Sequence, residues 1–107
     1  GAFKGGQGGL SGRPVFALST RVLAQVFQRA DGAFPIVGAG GITDAATAFA
    51  KLEAGATLLQ LYSSLVYGGM PLVDAIKRGI VDRLAADKLP NIAPVVGRKA
   101  AEWSKAP

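Results

Sequence analysis

The first regular pattern along the chain is a stripe of apolar residues that ends near residue 30. Its members lie three or four positions apart or next to one another: Val22, Leu23, Val26, Phe27 and Ala30. This spacing predicts an amphipathic helix, because residues three and four apart share one helix face. Ser19 or Thr20 is a suitable N-cap, and Asp31-Gly32 ends the helix. The glycine-rich segment before it, residues 1–18, predicts a loop.

Two short apolar runs without polar alternation follow, at residues 34–37 and 57–61. Runs of this kind are typical of parallel strands that are covered on both faces. Between them, Thr43 or Asp44 is placed to cap a helix, and Gly55 is a C-terminal stop for it. The buried stripe predicted for this helix consists of Ala45, Ala48, Phe49 and Leu52.

After the second run, Ser63 or Ser64 opens a short helical turn that reaches Tyr67. Gly68-Gly69 breaks this turn, and Pro71 lies where a longer helix begins, a position that proline tolerates. The apolar face predicted for the longer helix consists of Val73, Ile76, Ile80 and Leu84. For the tail, residues 89–107, we expect irregular structure with one more helical turn.

The alternation of helices and strands predicts an α/β fold with parallel strands. Two strands cannot form a stable parallel sheet alone, because both would be edge strands. We therefore expect this chain to be the C-terminal part of a larger α/β protein. Its expected parts are a glycine-rich rim loop at 1–18, an α-β-α-β-α core at 19–88 and a tail at 89–107.

The composition narrows the chemistry that is open to the chain. It has no cysteine and no histidine, which removes thiolate nucleophiles, zinc-thiolate sites and the commonest general base. The net charge of +5 is spread from Lys4 to Lys105, without the single basic face that nucleic-acid binding requires. No apolar run approaches the roughly 18 residues that a membrane span needs. We expect neither a metal site nor a nucleic-acid partner.

Two segments of small or hydroxyl residues follow the predicted strands: Gly38-Ala39-Gly40-Gly41 and Tyr62-Ser63-Ser64. Backbone amides at a strand-to-helix turn bind anions, and consecutive turns of this kind hold phosphate in (β/α)₈ barrels. Each segment also has a purely structural interpretation, as a tight helix–strand contact or as an ordinary N-cap. Together they favour a phosphate site.

A third glycine-rich segment precedes the two segments at the strand ends: Gly8-Gly9-Leu10-Ser11-Gly12-Arg13-Pro14. In this order, these motifs resemble the C-terminal portion of dihydroorotate dehydrogenase, class 2, the quinone-dependent class. The resemblance covers roughly residues 8–88, and the end of the chain around Trp103 is similar to that of some bacterial members. It implies the C-terminal part of a (β/α)₈ barrel, with about strands seven and eight and their helices.

The resemblance implies FMN as the cofactor. It places Gly12 and Gly41 against FMN, and Tyr62 and Ser63 at its phosphate. The implied reaction is the oxidation of dihydroorotate to orotate in pyrimidine synthesis, with ubiquinone as the electron acceptor. The implied location is peripheral, on the cytoplasmic side of a bacterial inner membrane.

The family's catalytic serine, its orotate ligands and its membrane-contacting segment are expected upstream of residue 1. No catalytic residue is therefore assigned here, and Ser11, Ser19, Ser63 and Ser64 do not match the motif of the catalytic serine. We expect the isolated chain to be inactive, and to self-associate or to pair with the upstream half.

Two alternatives stay open at this point. One is another FMN- or phosphate-binding barrel, similar to inosine-monophosphate dehydrogenase or old yellow enzyme, although the Gly8–Pro14 motif favours the first interpretation. The other is a non-enzymatic half-barrel that acts as an assembly module by burying its strand edges against a second protein surface.

Overall fold

The computed structural model describes the backbone of residues 6–105 and the side chains of residues 15–105. Helices alternate with two very short strands, which confirms the predicted α/β class. The elements are α1 (Gly6–Ala30), β1 (Val37–Gly38), α2 (Ala45–Ala54), β2 (Leu58–Leu59), α3 (Tyr62–Ala86) and α4 (Ala100–Ser104).

The two strands pair in parallel, with Val37 opposite Leu58 and Gly38 opposite Leu59. Helix α2 connects them, so the centre of the fold is a single β-α-β unit. Because successive side chains in a strand point to opposite faces, Gly38 and Leu59 share one face and Val37 and Leu58 share the other.

Only one face of this strand pair is covered within the described residues. Gly38 is buried and Leu59 is half-buried against helices, whereas Val37 is 55% exposed and Leu58 is 59% exposed. The prediction of strands covered on both faces is therefore wrong for this chain. The helices that the chain contributes pack on one side of the pair, and the described residues supply no layer for the other side.

Local chemistry sets the ends of α2 as predicted. The Asp44 side chain accepts a hydrogen bond from the Thr47 amide at 2.8 Å, and Thr47 Oγ1 accepts one from the Asp44 amide at 3.1 Å. This reciprocal pair is a capping box, which satisfies two amides that the first helical turn leaves free. At the other end Gly55 has φ 134°, a conformation that glycine adopts without strain.

Helix α3 consists of two segments that meet at a kink. Gly69 is not helical, with φ 66° and ψ −167°, and Pro71 lies in the first turn of the second segment. The predicted break at Gly68-Gly69 and the predicted helix from Pro71 are both confirmed. The first segment begins at Tyr62, one residue before the earliest predicted start.

Helix α1 begins at Gly6, so the prediction of a loop is wrong over residues 6–18, and residues 1–5 lie outside the described residues. The predicted N-cap at Ser19 or Thr20 is also wrong. Phe16 explains why the helix already includes residues 16–18. Its side chain continues the buried face of α1 one turn upstream, and its ring packs edge-on against Trp103, with 5.7 Å between the ring centroids. The Ser19 hydroxyl contacts the Phe16 carbonyl oxygen at 3.3 Å, and the Thr20 side chain is fully buried in the helix.

The core consists of three apolar clusters, and Leu59 packs against all of them. The first joins α1 to the end of α2 and the tail, the second lies between α2 and α3, and the third joins α2 to the tail. The fully or nearly buried members are Leu23, Ala24, Ala54, Ala56 and Ala100 in the first, Ile42, Ala48 and Ile76 in the second, and Phe49, Leu52 and Val95 in the third.

The tail is tied to the C-terminal end of α2 by backbone and side-chain contacts. The Gly97 amide donates to the Leu52 carbonyl and the Lys99 amide to the Glu53 carbonyl, each at 2.9 Å. An Arg98 guanidinium nitrogen lies 2.8 Å from a carboxylate oxygen of Glu53, whose residue is 6% exposed. The tail is irregular apart from α4, as predicted for residues 89–105.

We expect the Gly55→Ala substitution to destabilise the chain by about 2–4 kcal/mol. An added Cβ would overlap the Phe27 ring, and φ of 134° is unfavourable for alanine. Gly32→Ala is the matched control, because Gly32 also has positive φ but no atom lies within 4 Å of an added Cβ. We expect it to cost about 1 kcal/mol. Urea unfolding measures both, and equal costs would contradict the packing of Phe27 against Gly55.

Candidate functional site

The segments that follow the two strands lie together at one edge of the β-α-β unit. Parallel pairing brings the carboxyl ends of β1 and β2 side by side. The buried hydroxyl of Ser64 donates a hydrogen bond of 2.7 Å to the Ile42 carbonyl. This bond joins the first turn of α3 to the end of the glycine turn, which we define as Gly38-Ala39-Gly40-Gly41. Ser63 directly precedes the donor Ser64, and Gly41 directly precedes the acceptor Ile42.

The glycine turn adopts a conformation that other residues rarely accept. Gly40 has φ 91° and Gly41 has φ 75°. A Cβ at Gly40 would lie 2.7 Å from Ser19 Oγ, so Gly40 also has no room for a side chain. Among residues 6–105, no described carbonyl accepts a hydrogen bond from the Gly40 or Gly41 amide. The turn therefore offers backbone donors, which suit an anion.

The first turn of α3 offers a second group of donors. Its N-cap, Leu61, makes no side-chain capping bond, and the earliest helical bond shown runs from the Leu65 amide to the Leu61 carbonyl at 2.9 Å. The amides of Tyr62, Ser63 and Ser64 thus precede the intrahelical ladder. Such amides carry partial positive charge, and Ser63 lies exposed beside them.

Three of the four predicted cofactor residues lie in the two segments that the Ser64–Ile42 hydrogen bond joins. Gly41 belongs to the glycine turn, and Tyr62 and Ser63 belong to the first turn of α3. Ser64, which the sequence suggested as a second hydroxyl for the anion, instead uses its hydroxyl within the fold. Gly12 lies inside α1 rather than in a rim loop, and the contacts of residues 6–14 lie outside what the structure describes.

Lys51 is a residue of this region that the sequence analysis missed. Its side chain is fully buried under the glycine turn, and its Nζ lies 2.6 Å from Ser19 Oγ and 4.8 Å from the centroid of the Phe16 ring. Burial lowers the pKa of Lys51 from 10.5 to about 8. The pattern contained a signal, because Lys51 lies three positions after Ala48 and next to Leu52, within the predicted buried arc.

The described residues contain no cluster of three or more histidine, cysteine or acidic side chains that could hold a metal ion. Among the same residues, no helix combines the length and the apolar character that a membrane span requires. The donor set at the strand ends consists of amides and a hydroxyl, which fits an anionic group rather than a cation.

The family model for dihydroorotate dehydrogenase matches residues 2–84 of the chain. A curated relative from Rhodopseudomonas palustris, dihydroorotate dehydrogenase (quinone), is 52% identical over 94 residues, which is 88% of this chain. A relative of the same name from Bradyrhizobium diazoefficiens is 50% identical over 95 residues, or 89% of this chain. The chain spans about a quarter (26%) of the length of these relatives.

Solved structures agree with these matches. The ligand-free enzyme DHODH from Eimeria tenella superposes with a TM-score of 0.75 at 27% identity, over 83% of this chain and 25% of that one. Its complex with ferulenol gives a TM-score of 0.72 at 28% identity, over 81% of this chain and 23% of that one. The predicted fold class, the C-terminal part of a (β/α)₈ barrel, is confirmed.

The lowered pKa of Lys51 predicts a pH-dependent contribution to stability. Below pH 8 the amine is charged in both the folded and unfolded states, and burial of the charge disfavours folding. Between about pH 8 and 10.5 the folded chain releases this proton while the unfolded chain keeps it, so the Lys51 contribution to stability rises with pH.

We therefore expect Lys51→Met to stabilise the chain most at pH 7, and the difference from the parent chain to shrink by pH 10. Urea unfolding of both proteins at several pH values measures the difference in their free energies of unfolding. The other titrating groups are the same in both proteins, so their contributions cancel in this difference. A difference that is independent of pH would contradict the burial of a charged amine at this position.

Proposed function

Because this chain belongs to the dihydroorotate dehydrogenase family, we propose that it supplies the FMN phosphate-binding part of a quinone-dependent member. The whole enzyme would oxidise dihydroorotate to orotate in pyrimidine synthesis. The observation that carries the proposal is the Ser64–Ile42 hydrogen bond, which joins two segments with free donors at one edge of the strand pair.

The described residues fit the phosphate end of FMN. A phosphate at physiological pH is a dianion with several acceptor oxygens, and it needs donors from more than one direction. The Gly41 amide belongs to one segment, while the Tyr62 and Ser63 amides and the Ser63 hydroxyl belong to the other. We assign these three residues to the phosphate, and Gly12 to FMN by the family motif alone.

When bound, FMN would supply the redox chemistry that links the oxidation of dihydroorotate to a quinone. The residues of this chain hold and orient the phosphate end, and among the described residues we assign none as the proton acceptor of that reaction. The sequence contains no histidine or cysteine, and the one buried carboxylate among the described residues, Glu53, is paired with Arg98. The chain by itself should therefore be inactive.

The uncovered face of the strand pair supports pairing with the rest of the barrel. Val37 and Leu58 on that face are more than half exposed. Next to them runs an exposed apolar stripe of α1, formed by Val15, Leu18, Val22 and Val26. In the whole enzyme, we propose, upstream strands cover this surface. Contact with the membrane and with ubiquinone would come from the same upstream part, at the cytoplasmic side of the bacterial inner membrane.

We expect the 107-residue chain to bind FMN at least about tenfold more tightly than riboflavin, because only FMN carries the phosphate. Quenching of flavin fluorescence on titration with the chain measures both affinities. Equal affinities would contradict phosphate recognition, and turnover of dihydroorotate by the chain alone would contradict the division of roles.

The variant Ser63→Ala removes one proposed phosphate donor. We expect FMN affinity to fall about tenfold, as for a lost hydrogen bond to a charged group, with riboflavin affinity unchanged. Ser104→Ala is the matched control, because Ser104 lies in α4 and its hydroxyl donates to the Ala101 carbonyl at 3.0 Å. An FMN affinity that is unchanged in Ser63→Ala, or lowered equally in both variants, would overturn the assignment of Ser63.

A further inference from the structure

Lys51 is a buried cation whose charge no described acidic side chain neutralises. Glu53 and Asp87 form ion pairs with Arg83, Arg98 and Lys99, and no described ion pair includes Lys51. A buried ammonium without a carboxylate is unfavourable, and an apolar side chain of similar length would fill the same volume without that cost. The contacts of Lys51 show what the charged group does instead.

The stem of Lys51 supports the end of β1. A Cβ at Gly38 would lie 3.2 Å from the Lys51 Cβ, so α2 approaches the strand closely at this position. From there the side chain extends beneath the turn until Nζ meets Ser19 Oγ at 2.6 Å. The face of the Phe16 ring lies beside the ammonium and provides a favourable cation–π contact.

Ser19 continues this contact to the glycine turn. Its Oγ lies 3.3 Å from the Gly40 carbonyl oxygen, across 21 positions of sequence. Because a protonated lysine can only donate, the Ser19 oxygen accepts from Nζ and its own hydrogen remains for a carbonyl. The Gly40 and Phe16 carbonyls, both at 3.3 Å, are the acceptors within reach.

The charge makes Ser19 a better donor. A hydroxyl that accepts a hydrogen bond from an ammonium is polarised, so its own bond to a carbonyl strengthens. The Gly40 carbonyl is thereby held on the inner side of the turn. The Gly40 carbonyl and the Gly41 amide belong to one planar trans peptide group, so holding this carbonyl points the Gly41 N–H in the opposite direction.

We propose that Lys51 is a positioning residue for the glycine turn: acting through Ser19, it fixes the Gly40 carbonyl and thereby orients the Gly41 amide toward the phosphate. Lys51 does not itself touch the ligand. The identity of the anion rests on the proposed function, whereas the ordering of the turn by Lys51 and Ser19 does not.

Two variants and one control test this proposal in the 107-residue chain. Lys51→Met keeps the stem and removes the ammonium, and Ser19→Ala removes only the connecting hydroxyl. Lys77→Met, at an exposed position of α3, loses a charge of the same sign from a residue that takes part in no described hydrogen bond or ion pair. The measurements are ¹⁵N order parameters without ligand, thermal unfolding at pH 7, and the affinities for FMN and riboflavin.

We expect the order parameters of Gly40 and Gly41 to fall in both variants, from about 0.85 to below about 0.6, the value of flexible backbone. FMN affinity should fall about three- to tenfold, while riboflavin affinity stays unchanged. Lys51→Met should unfold at the same temperature as the parent chain or a higher one. A merely structural lysine would give the opposite combination, lower stability with an unchanged turn, and Lys77→Met should match the parent.

Unchanged order parameters at Gly40 and Gly41 in both variants would overturn the proposal. If Lys51→Met fails to fold, Ser19→Ala still decides the result. A parent chain that binds FMN and riboflavin equally would refute the phosphate function, and the order parameters would still report whether Lys51 positions the turn.

Discussion

The close packing of α2 beneath the end of β1 is the contact on which the rest of the structure depends. A Cβ at Gly38 would lie 2.8 Å from the Ala56 Cβ, so any larger residue there would push the helix and the second strand away. This approach allows the Lys51 side chain to pass under the turn to Ser19. The same packing keeps the ends of both strands level, so that Ser64 can reach the Ile42 carbonyl. The candidate site thus follows from one glycine-mediated helix–strand contact.

The core explains why one face of the strand pair is covered and the other is exposed. Leu59 packs against three clusters and links α1, α2, α3 and the tail on one face of the strand pair. Its neighbour Leu58 faces the opposite way and is 59% exposed. In a (β/α)₈ barrel the helices cover the outside of the strands, and side chains of other strands fill the inside. The exposed side therefore supports the proposal that upstream strands cover it in the whole enzyme.

Features decided by local chemistry could be predicted from the sequence. Asp44 and Gly55 set the ends of α2, and Gly68-Gly69 with Pro71 places the kink in α3, because each residue type has a conformational preference of its own. Features decided by tertiary contacts could not. Helix α1 extends upstream of Ser19, and Lys51 is buried despite its charge. At the site, the glycine turn and Ser63 followed from the sequence, whereas the inward orientation of Ser64 depended on a carbonyl 22 positions away.

The family, the joined strand ends and the free backbone donors together support one account, in which this chain holds the phosphate end of FMN. The most direct test is an FMN titration of the ¹⁵N-labelled chain, followed residue by residue in amide spectra. The account predicts the largest shifts at Gly40, Gly41, Tyr62 and Ser63, and no such shifts with riboflavin. Shifts confined to exposed basic positions such as Lys77 and Arg78, with the glycine turn unchanged, would contradict it.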